Sequence, residues 1–332
     1  MTTGEFVLDL RMTETDDGLT FAVGDAQLVD YVARPADVRL ESPRPYFSPV
    51  RTLRGEVVTD FRPADHVWHR GISWSLPVVG DENFWGGPTY LRDRGYVQLS
   101  NNGSQQHLSF DRLEIAPDSR SASVVERLLW RTEAGRDLFD ETRRISVALL
   151  DDTAWALTFD TTMTNLTPDP IRLGSPTTRG RPDAGYGGLF WRGPESFRGG
   201  RVLAPLDPAD SGGPGATGPS AAARTADALR GTRAPWLGFA GEHPSGRTST
   251  VVMVDAPGNP RHPTPWFARS TDYAGLCPTP FFHDEWVVAP GAAFRARYAV
   301  VVADGDHDAA AASLLAEAGL ATLESSRISG DS

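Results

Sequence analysis

The sequence contains no lysine, so arginine supplies all 32 of its basic side chains. Against 43 acidic residues this leaves a formal net charge of −11. Because a protein that binds a polyanion needs a positive surface, nucleic acid is not an expected partner. An arginine-only composition is typical of a biased genome, and a preference for planar, two-pronged anion binding is the functional alternative.

Cysteine occurs once, at Cys277, which excludes an intramolecular disulfide and fits a reducing compartment. No run approaches the roughly 20 apolar residues that a membrane-spanning helix needs. The N-terminus has no basic segment followed by an apolar core, so no secretory signal is indicated. We therefore expect a cytoplasmic protein that has no membrane among its partners.

Several cofactor and nucleophile motifs are also missing. There is no phosphate-cradling loop, no Gly-x-Gly-x-x-Gly before a helix and no Gly-x-Ser-x-Gly elbow. No organic cofactor is expected on these grounds, whereas a divalent metal stays open.

Alternation of apolar and polar residues dominates what is present. Residues 155–163 and 294–302 place large apolar side chains at every second position, the pattern of a strand with one buried face. Short polar turns between closely spaced strands favour an antiparallel meander. About fifteen strands exceed one open sheet, so the prediction is an all-β, large antiparallel β-sandwich. Further strands are predicted at 6–11, 20–32, 55–59, 95–100, 107–115, 123–131, 138–149, 187–191, 236–240, 249–254 and 266–268.

One helix is predicted, a short C-terminal one at 308–323, from its acidic start and strong helix formers. Residues 325–332 are expected to form a tail. The stretch 207–230 is rich in glycine, proline and serine, and is interpreted as a flexible surface loop or a pocket lid. Strand patterns continue on both sides of it, so residues 1–324 are taken as a single β-sandwich domain.

The densest polar cluster is Asp65–Gly71, which reads Asp-His-Val-Trp-His-Arg-Gly. On a strand His66 and His69 would point to opposite faces, whereas in a loop both can converge. Imidazole is a general acid or base near neutral pH, and a carboxylate can fix its tautomer. The alternatives are a metal site completed by His107 or Glu141, and a hydrogen-bonded loop without chemistry.

Other unusual segments combine aromatic rings, glycine and charged groups, as pockets for polyhydroxylated ligands do. They are 43–49, 83–87, 179–192, 265–267 and 281–286. The predicted ligand-binding residues are Arg44, Tyr46, Asp65, Arg70, Asn83, Trp85, His107, Tyr186, Arg192 and Trp266. Glu126 and Glu141 sit on adjacent predicted strands, where a hairpin would bring them close; surface ion pairs or a carboxylate base are the two interpretations.

These motifs together resemble a widespread bacterial family labelled "methane oxygenase PmoA-like", a domain of unknown function. The resemblance rests on Arg44-Pro-Tyr-Phe-x-Pro49, Asp65-His-x-x-His-Arg-Gly71, Asn83-Phe-Trp85, 185–192 and 263–267, and it spans residues 30–303. It implies a galactose-mutarotase-like supersandwich and a place in carbohydrate metabolism. The methane enzyme subunit behind the label is a membrane protein, so literal methane oxygenase activity is not expected.

In mutarotase-like enzymes a histidine acid and a carboxylate base flank the sugar ring oxygen. The resemblance assigns these roles to His69 and to Glu141 or Glu285. The leading hypothesis is acid/base chemistry on a sugar or keto-sugar derivative, of epimerase, lyase or hydrolase type. His66 or His69 would act as acid, with Arg70 and Arg192 as anchors. The alternatives are a non-catalytic carbohydrate-binding protein and a metal-dependent sugar hydrolase or lyase.

Overall fold

The computed structural model describes residues 9–205 and 225–328. Within them, neighbouring strands run antiparallel and form an 11-stranded sheet, an 8-stranded sheet and one small hairpin. The strands, in chain order, are β1 (Leu10–Glu14), β2 (Gly18–Val23), β3 (Ala26–Val32), β4 (Tyr46–Val50), β5 (Ile72–Val79), β6 (Glu82–Phe84), β7 (Thr89–Leu91), β8 (Gly95–Val97), β9 (Ser104–Ile115), β10 (Ser121–Arg131), β11 (Asp137–Leu149), β12 (Ala154–Asn165), β13 (Ile171–Gly174), β14 (Gly188–Arg192), β15 (Arg201–Leu203), β16 (Trp236–Glu242), β17 (Thr248–Asp255), β18 (Trp266–Arg269), β19 (Gly275–Pro278), β20 (Trp286–Val288) and β21 (Ala293–Asp304). The predicted fold class, an all-β antiparallel sandwich, is confirmed.

The order of strands explains how distant segments meet. The main path of the first sheet is β1-β2-β3-β4-β5-β14-β19-β18, with β6, β13 and β20 attached beside it. The second sheet has the order β15-β16-β17-β21-β12-β11-β10-β9, and β7 and β8 form the separate hairpin. Strands β4, β5, β14 and β19 are therefore neighbours although some 230 residues separate their ends.

Aromatic rings join the two sheets. Trp74 on β5 packs against Phe159 on β12, and against Phe294 and Tyr298 on β21, at centroid distances of 5.9, 6.3 and 6.1 Å. All four rings are buried, and burying each phenylalanine contributes about 1.5–3 kcal/mol. This layer of rings fixes β5, the strand into which Asp65–Gly71 leads, against the opposite sheet.

The two C-terminal elements share one apolar interface. Helix α2 (Ala309–Ile328) places Ala312, Ala316 and Leu323 against the outer face of β21 and its neighbours. Asp308 caps the helix by accepting a hydrogen bond from the amide of Ala311 at 2.9 Å. Its start therefore agrees with the prediction to one residue.

The end of α2 differs from the prediction. Residues 325–328, expected in the tail, are helical, whereas 329–332 lie outside the described residues. The hydroxyls of Ser325 and Ser326 donate to the carbonyls of Ala321 and Leu323. These bonds occupy side chains that could otherwise compete with the helical backbone.

Two predicted strands differ from the elements that the structure contains. The segment 20–32 divides into β2 and β3 at Gly24, whose positive φ of 55° makes a tight turn. The segment 55–59 contributes only a single bridge, between Arg51 and Val57. Of the predicted strand 6–11, residues 6–8 lie outside the described residues, and β1 begins at Leu10.

The predicted loop 207–230 lies mostly outside the described part of the chain, which resumes at Thr225. There a four-residue helix, α1 (Ala226–Leu229), begins, and Thr225 caps it by accepting from the amide of Ala228. No helix in residues 9–205 and 225–328 is long and apolar enough to cross a membrane.

Candidate functional site

The segment 61–71 folds as two consecutive turns closed by a bridge between Phe61 and Arg70. The amide of His66 donates to the carbonyl of Pro63 at 3.0 Å, and the amide of His69 donates to the carbonyl of His66 at 2.9 Å. A turn of this length brings side chains three positions apart to the same side. The imidazoles of His66 and His69 stack with centroids 4.5 Å apart and planes within 10°.

Asp65 fixes the outer ring of this pair. Its Oδ2 lies 2.8 Å from Nδ1 of the half-buried His66. A carboxylate accepts the Nδ1 proton, which leaves the Nε2 lone pair of His66 as a base. Partial desolvation raises the pKa of Asp65, but the hydrogen bond from His66 and the charge of Arg192 outweigh it, so that the pKa is lower than usual.

His69, the inner ring, is only 2% exposed. Its Nδ1 lies 3.3 Å from Nη1 of Arg192. Since a guanidinium only donates, Nδ1 is the acceptor and the ring proton is on Nε2. Burial, reinforced by the positive charge of Arg192, lowers the pKa of His69 well below its usual range. His69 is therefore a neutral imidazole that presents an N–H group.

Arg192 connects the histidine pair to the end of β14. Its Nη2 donates to both carboxylate oxygens of Asp65, at 3.2 and 3.3 Å. The guanidinium lies 4.0 Å from the centroid of the Tyr273 ring, a close cation–π contact. Its Nε is buried without a hydrogen-bond partner among the described residues. Burial raises the pKa of Tyr273 to about 12, which keeps the phenol protonated.

Aromatic side chains surround His69 on the inner side. The ring centroids of Phe190 and Trp85 lie 4.7 and 5.7 Å from that of His69. The ring centroid of Tyr186 lies 4.6 Å from that of Trp85. Asn83 shapes this wall, since its Oδ1 accepts the amides of Trp85 and Gly86 at 2.8 and 3.1 Å. The predicted contributions of Asn83, Trp85 and Tyr186 to one cluster thus have a geometric basis.

Trp68 seals the turn against the segment 83–87. A Cβ at Gly87 would lie 2.7 Å from the Trp68 ring, and one at Gly86 would lie 2.6 Å from its Cβ. Both glycines also have positive φ, 68° at Gly87 and 101° at Gly86, so two reasons favour glycine there. The partly exposed members of the cluster are Asp65, His66, Trp68, Tyr186 and Tyr273.

Arg70 and Tyr46 lie behind the histidines. Arg70 is fully buried, with ion pairs to Glu41 and, at 3.0 Å, to Asp37. Its guanidinium lies 5.6 Å from the Tyr46 ring. All of these contacts are with other residues of the protein, so Arg70 and Tyr46 support the histidine turn from behind.

Arg44 is also buried and supports the turn directly. Its Nη2 donates to the carbonyl of Trp68 at 2.6 Å, and Nη1 donates to the carbonyls of Glu41 and Ser42 at 2.9 Å. Burial lowers the pKa of Arg44 to about 9. Its donors are therefore committed to holding the backbone.

Glu141 is not brought to the histidine pair. It is completely buried on β11, where Oε1 accepts from Arg143 at 2.9 Å and from Thr161 at 2.8 Å. Its Oε2 accepts the indole N–H of Trp130 at 2.7 Å. The predicted hairpin of β10 and β11 is present and pairs Glu126 with Arg143, but it serves a buried polar network.

Glu285, Trp266 and His107 also lie outside the contacts of the histidine pair. Glu285 faces Arg172 and Arg179 at 3.4 and 3.6 Å. Trp266 is a core residue whose Nε1 donates to a backbone carbonyl at 2.8 Å. His107 lies on β9 and contacts Glu126.

Sequence reasoning missed Tyr273, which underlies Arg192. It stands in Ser270-Thr-Asp-Tyr-Ala274, where no pattern distinguishes it from a turn residue. Only the pairing of β19 with β14 brings it to the site. Within residues 9–205 and 225–328, no three His, Cys, Asp or Glu side chains are grouped to hold a metal ion.

Fold and site together define an all-β protein of two large antiparallel sheets with a histidine pair beside an aromatic cluster. A family model described as "Family of unknown function (DUF6807)" matches residues 18–317, so the chain belongs to that family. No curated protein matches the sequence.

Weakly similar solved structures include carbohydrate-active enzymes. A heparan sulfate lyase HepC mutant from Pedobacter heparinus has a TM-score of 0.37 and 8% identity, covering 92% of this chain and 37% of the lyase. A putative aldose 1-epimerase from Klebsiella pneumoniae has a TM-score of 0.36 and 12% identity, and the match covers 92% of this chain and 81% of the epimerase. The GalM/aldose epimerase homologue from C. elegans has a TM-score of 0.31 and 8% identity, and the match covers 90% of this chain and 100% of the homologue. This chain spans little more than a third of the lyase, and its chemistry has to be argued from its own site.

Proposed function

We propose that this protein moves a proton on a sugar or keto-sugar, with His66 as the base and His69 as a neutral hydrogen-bond donor. The observation that carries the proposal is the stacked histidine pair, whose hydrogen-bond partners assign opposite tautomers to the two rings. Asp65 holds a proton on Nδ1 of His66, and Arg192 holds the acceptor side of His69. One ring thus offers a lone pair and the other an N–H group, 4.5 Å apart between centroids.

The chemical step follows from these two groups. His66 Nε2 takes the proton from a carbon next to a carbonyl, and the electron pair moves onto the carbonyl oxygen. The Nε2–H of His69 donates to that oxygen as its negative charge develops. Delivery of a proton from water to the other face, with release of the proton on His66 to solvent, completes an epimerisation, whereas loss of a leaving group with its electron pair from the neighbouring carbon completes an elimination. The proposed base is a histidine in place of the predicted carboxylate.

A neutral imidazole suits this step because it donates a hydrogen bond from Nε2 while keeping its proton. Since burial lowers the pKa of His69, its N–H remains fixed and uncharged around neutral pH. A positioned base contributes about 10²–10⁴-fold to such a reaction, and one oxyanion donor contributes about 10²–10³-fold.

The surroundings support a polyhydroxylated substrate. Trp68 and Tyr186 present partly exposed rings, and aromatic faces pack against the apolar faces of sugars. Asp65 is an exposed acceptor, and the phenol of Tyr273 keeps its proton.

Solvent exchange tests the proposal without knowledge of the product. A panel of aldoses and keto-sugars is incubated with the protein in D₂O, and NMR follows deuterium at the carbon next to the carbonyl. We expect exchange with the wild type, none above background with His66→Gln, and about 10²–10³-fold slower exchange with His69→Asn. His283→Gln, which alters an exposed histidine away from the pair, should exchange like the wild type. Equal exchange by His66→Gln and the wild type would refute the assignment.

The partly exposed rings of Trp68 and Tyr186 also suit a carbohydrate-binding protein without catalysis. That function requires sugars to raise the unfolding temperature without deuterium exchange. Trp68→Ala would then weaken binding more than His66→Gln. The same panel of sugars therefore distinguishes the two functions.

A further inference from the structure

We infer that this protein has a second ligand site, a cavity of about 380 Å³ between the segment 33–43, which follows β3, and the start of β9, and that this site takes a sugar acid or a related hydroxy acid. The wall residues that carry the inference are Arg34, Asp37, Arg39, Gln106 and His107. None of them contacts the stacked histidines, and the cavity plays no part in the proton transfer proposed above.

Two exposed arginines give the cavity its preference for an anion. Arg39 uses Nη1 to donate to the carbonyl of Glu133 at 2.8 Å, which leaves its Nε and Nη2 uncommitted within the described residues. Arg34 donates through Nη2 to His107 and, at 3.3 Å, through Nη1 to the carbonyl of Asp16. Planar guanidinium groups bind a carboxylate through two parallel hydrogen bonds.

Asp37 provides the complementary acceptor for a hydroxyl group. Its side chain is nine-tenths buried, and Oδ1 lies 3.0 Å from Nη1 of Arg70. Its Oδ2 is buried without a hydrogen-bond partner in the described part of the chain. Because this oxygen has almost no accessible surface, a ligand hydroxyl reaches it only when the carboxylate rotates toward the cavity, and the new hydrogen bond would then pair the acceptor. A carboxylate acceptor beside two cations fits a ligand that carries both an acid group and hydroxyls.

A buried network holds one wall of the cavity in place. His107 donates from Nδ1 to Oε1 of Glu126 at 2.7 Å, because its Nε2 must accept from Nη2 of Arg34 at 2.9 Å. Glu126 is fully buried and also accepts from the hydroxyl of Tyr31, which in turn accepts from Arg143 at 3.1 Å.

The same network reaches the floor of the cavity. Arg143 donates at 2.9 Å to Gln105, a lining residue, and at the other end pairs with Glu141. Buried ion pairs of this kind contribute little net stability compared with apolar packing. They do orient the groups at their ends, so Arg34 and His107 are preorganised and His107 is a positioning residue.

Isothermal titration calorimetry tests the site with three probes: D-glucuronate, D-gluconate and the neutral methyl ester of glucuronate. We expect both acids to bind and the ester to bind at least about tenfold more weakly, because it lacks the carboxylate charge. Arg39→Gln should weaken the binding of the acids by about tenfold or more. Its matched control, Arg131→Gln, removes an exposed arginine that pairs with Asp137 and lies outside the cavity, and should bind like the wild type.

His66→Gln separates this inference from the proposed function, since it should abolish exchange and leave acid binding intact. His107→Ala, compared with wild type at equal folded fraction, should weaken acid binding while leaving exchange unchanged. The inference is overturned if neither acid binds at millimolar concentration, if the ester binds equally well, or if Arg39→Gln has no effect.

Discussion

The guanidinium of Arg192 lies 3.3 Å from Nδ1 of His69, and this contact decides which nitrogen of the buried imidazole carries the proton. Arg192 reaches this position because β14 pairs with β5, the strand that follows directly after the histidine turn. The carboxylate of Asp65 then completes the arrangement from the solvent side. Sheet pairing thus sets the chemical state of a side chain 123 positions away in the chain.

His69 should remain uncharged under conditions where an ordinary histidine is protonated. Burial is the largest cause of its lowered pKa, with the charges of His66 and Arg192 next. NMR titration of the imidazole signals is expected to show His69 neutral, with its proton on Nε2, as the pH falls through 6.5, the usual value for histidine. Arg192→Gln should raise the pKa of His69 without restoring the usual value. Protonation of wild-type His69 at or above about 6.5 would contradict the assignment.

The same group should make stability depend on pH. Because the folded-state pKa of His69 is lower than the unfolded value of about 6.5, the unfolded state binds the proton first as the pH falls. Stability is therefore retained above about pH 6.5 and falls below it, at a limiting slope of about 1.4 kcal/mol per pH unit.

Urea denaturation at pH 7 and pH 5.5 should show a smaller loss of stability for His69→Asn than for the wild type. The pKa of His243 is also lowered by burial, but that residue is present in both proteins and cancels in the comparison. Identical slopes for the two proteins would exclude a neutral, buried His69.

Glu141 should matter for stability rather than for proton transfer. Removing its charge with Glu141→Gln leaves Arg143 without its carboxylate in a dry interior, which costs about 3–5 kcal/mol. Asp137→Asn breaks the pair with Arg131, where both side chains are about two-fifths exposed, and should cost about 0–1 kcal/mol. Chemical denaturation measures both. A smaller loss for Glu141→Gln than for Asp137→Asn, or loss of exchange in folded Glu141→Gln protein, would contradict this role.

Gly87→Ala tests the packing of Trp68 on the turn. Gly87 and Gly135 both have positive φ, 68° and 89°, but only the Cβ of an alanine at 87 would meet another side chain, at 2.7 Å. Gly135→Ala is therefore the control for backbone strain alone, and Gly87→Ala should cost about 1–3 kcal/mol more. Urea denaturation reports the effect. Equal losses in both variants would mean that Trp68 does not depend on the close approach.

The sequence predicted elements with one wet face better than those without. Strand β21 shows its alternation because Phe294, Ala296 and Tyr298 face the sandwich core, whereas Arg295 and Arg297 lie on the less buried opposite face. Strand β5 was missed although Ile72, Trp74 and Leu76 alternate with Ser73 and Ser75, because the alternation stops at Pro77, a residue type that discourages strand pairing.

The site was predictable only where its residues are close in sequence. His66 and His69 were expected to converge if the segment formed a loop, and two turns produce that convergence. Tyr273 and Asp37 carry no local signal, because sheet pairing alone brings them to their sites. Glu141 was predicted as a catalytic carboxylate because charged residues lie near it in the sequence. In the structure it forms a buried ion pair with Arg143.

A crystal structure of the protein with a bound keto-sugar, chosen by deuterium exchange, tests the central claim most directly. A ligand oxygen should lie within about 3 Å of Nε2 of His69, with the adjacent carbon facing Nε2 of His66. A keto-sugar bound away from both imidazoles, whether in the cavity beside Arg34 or elsewhere, would contradict it.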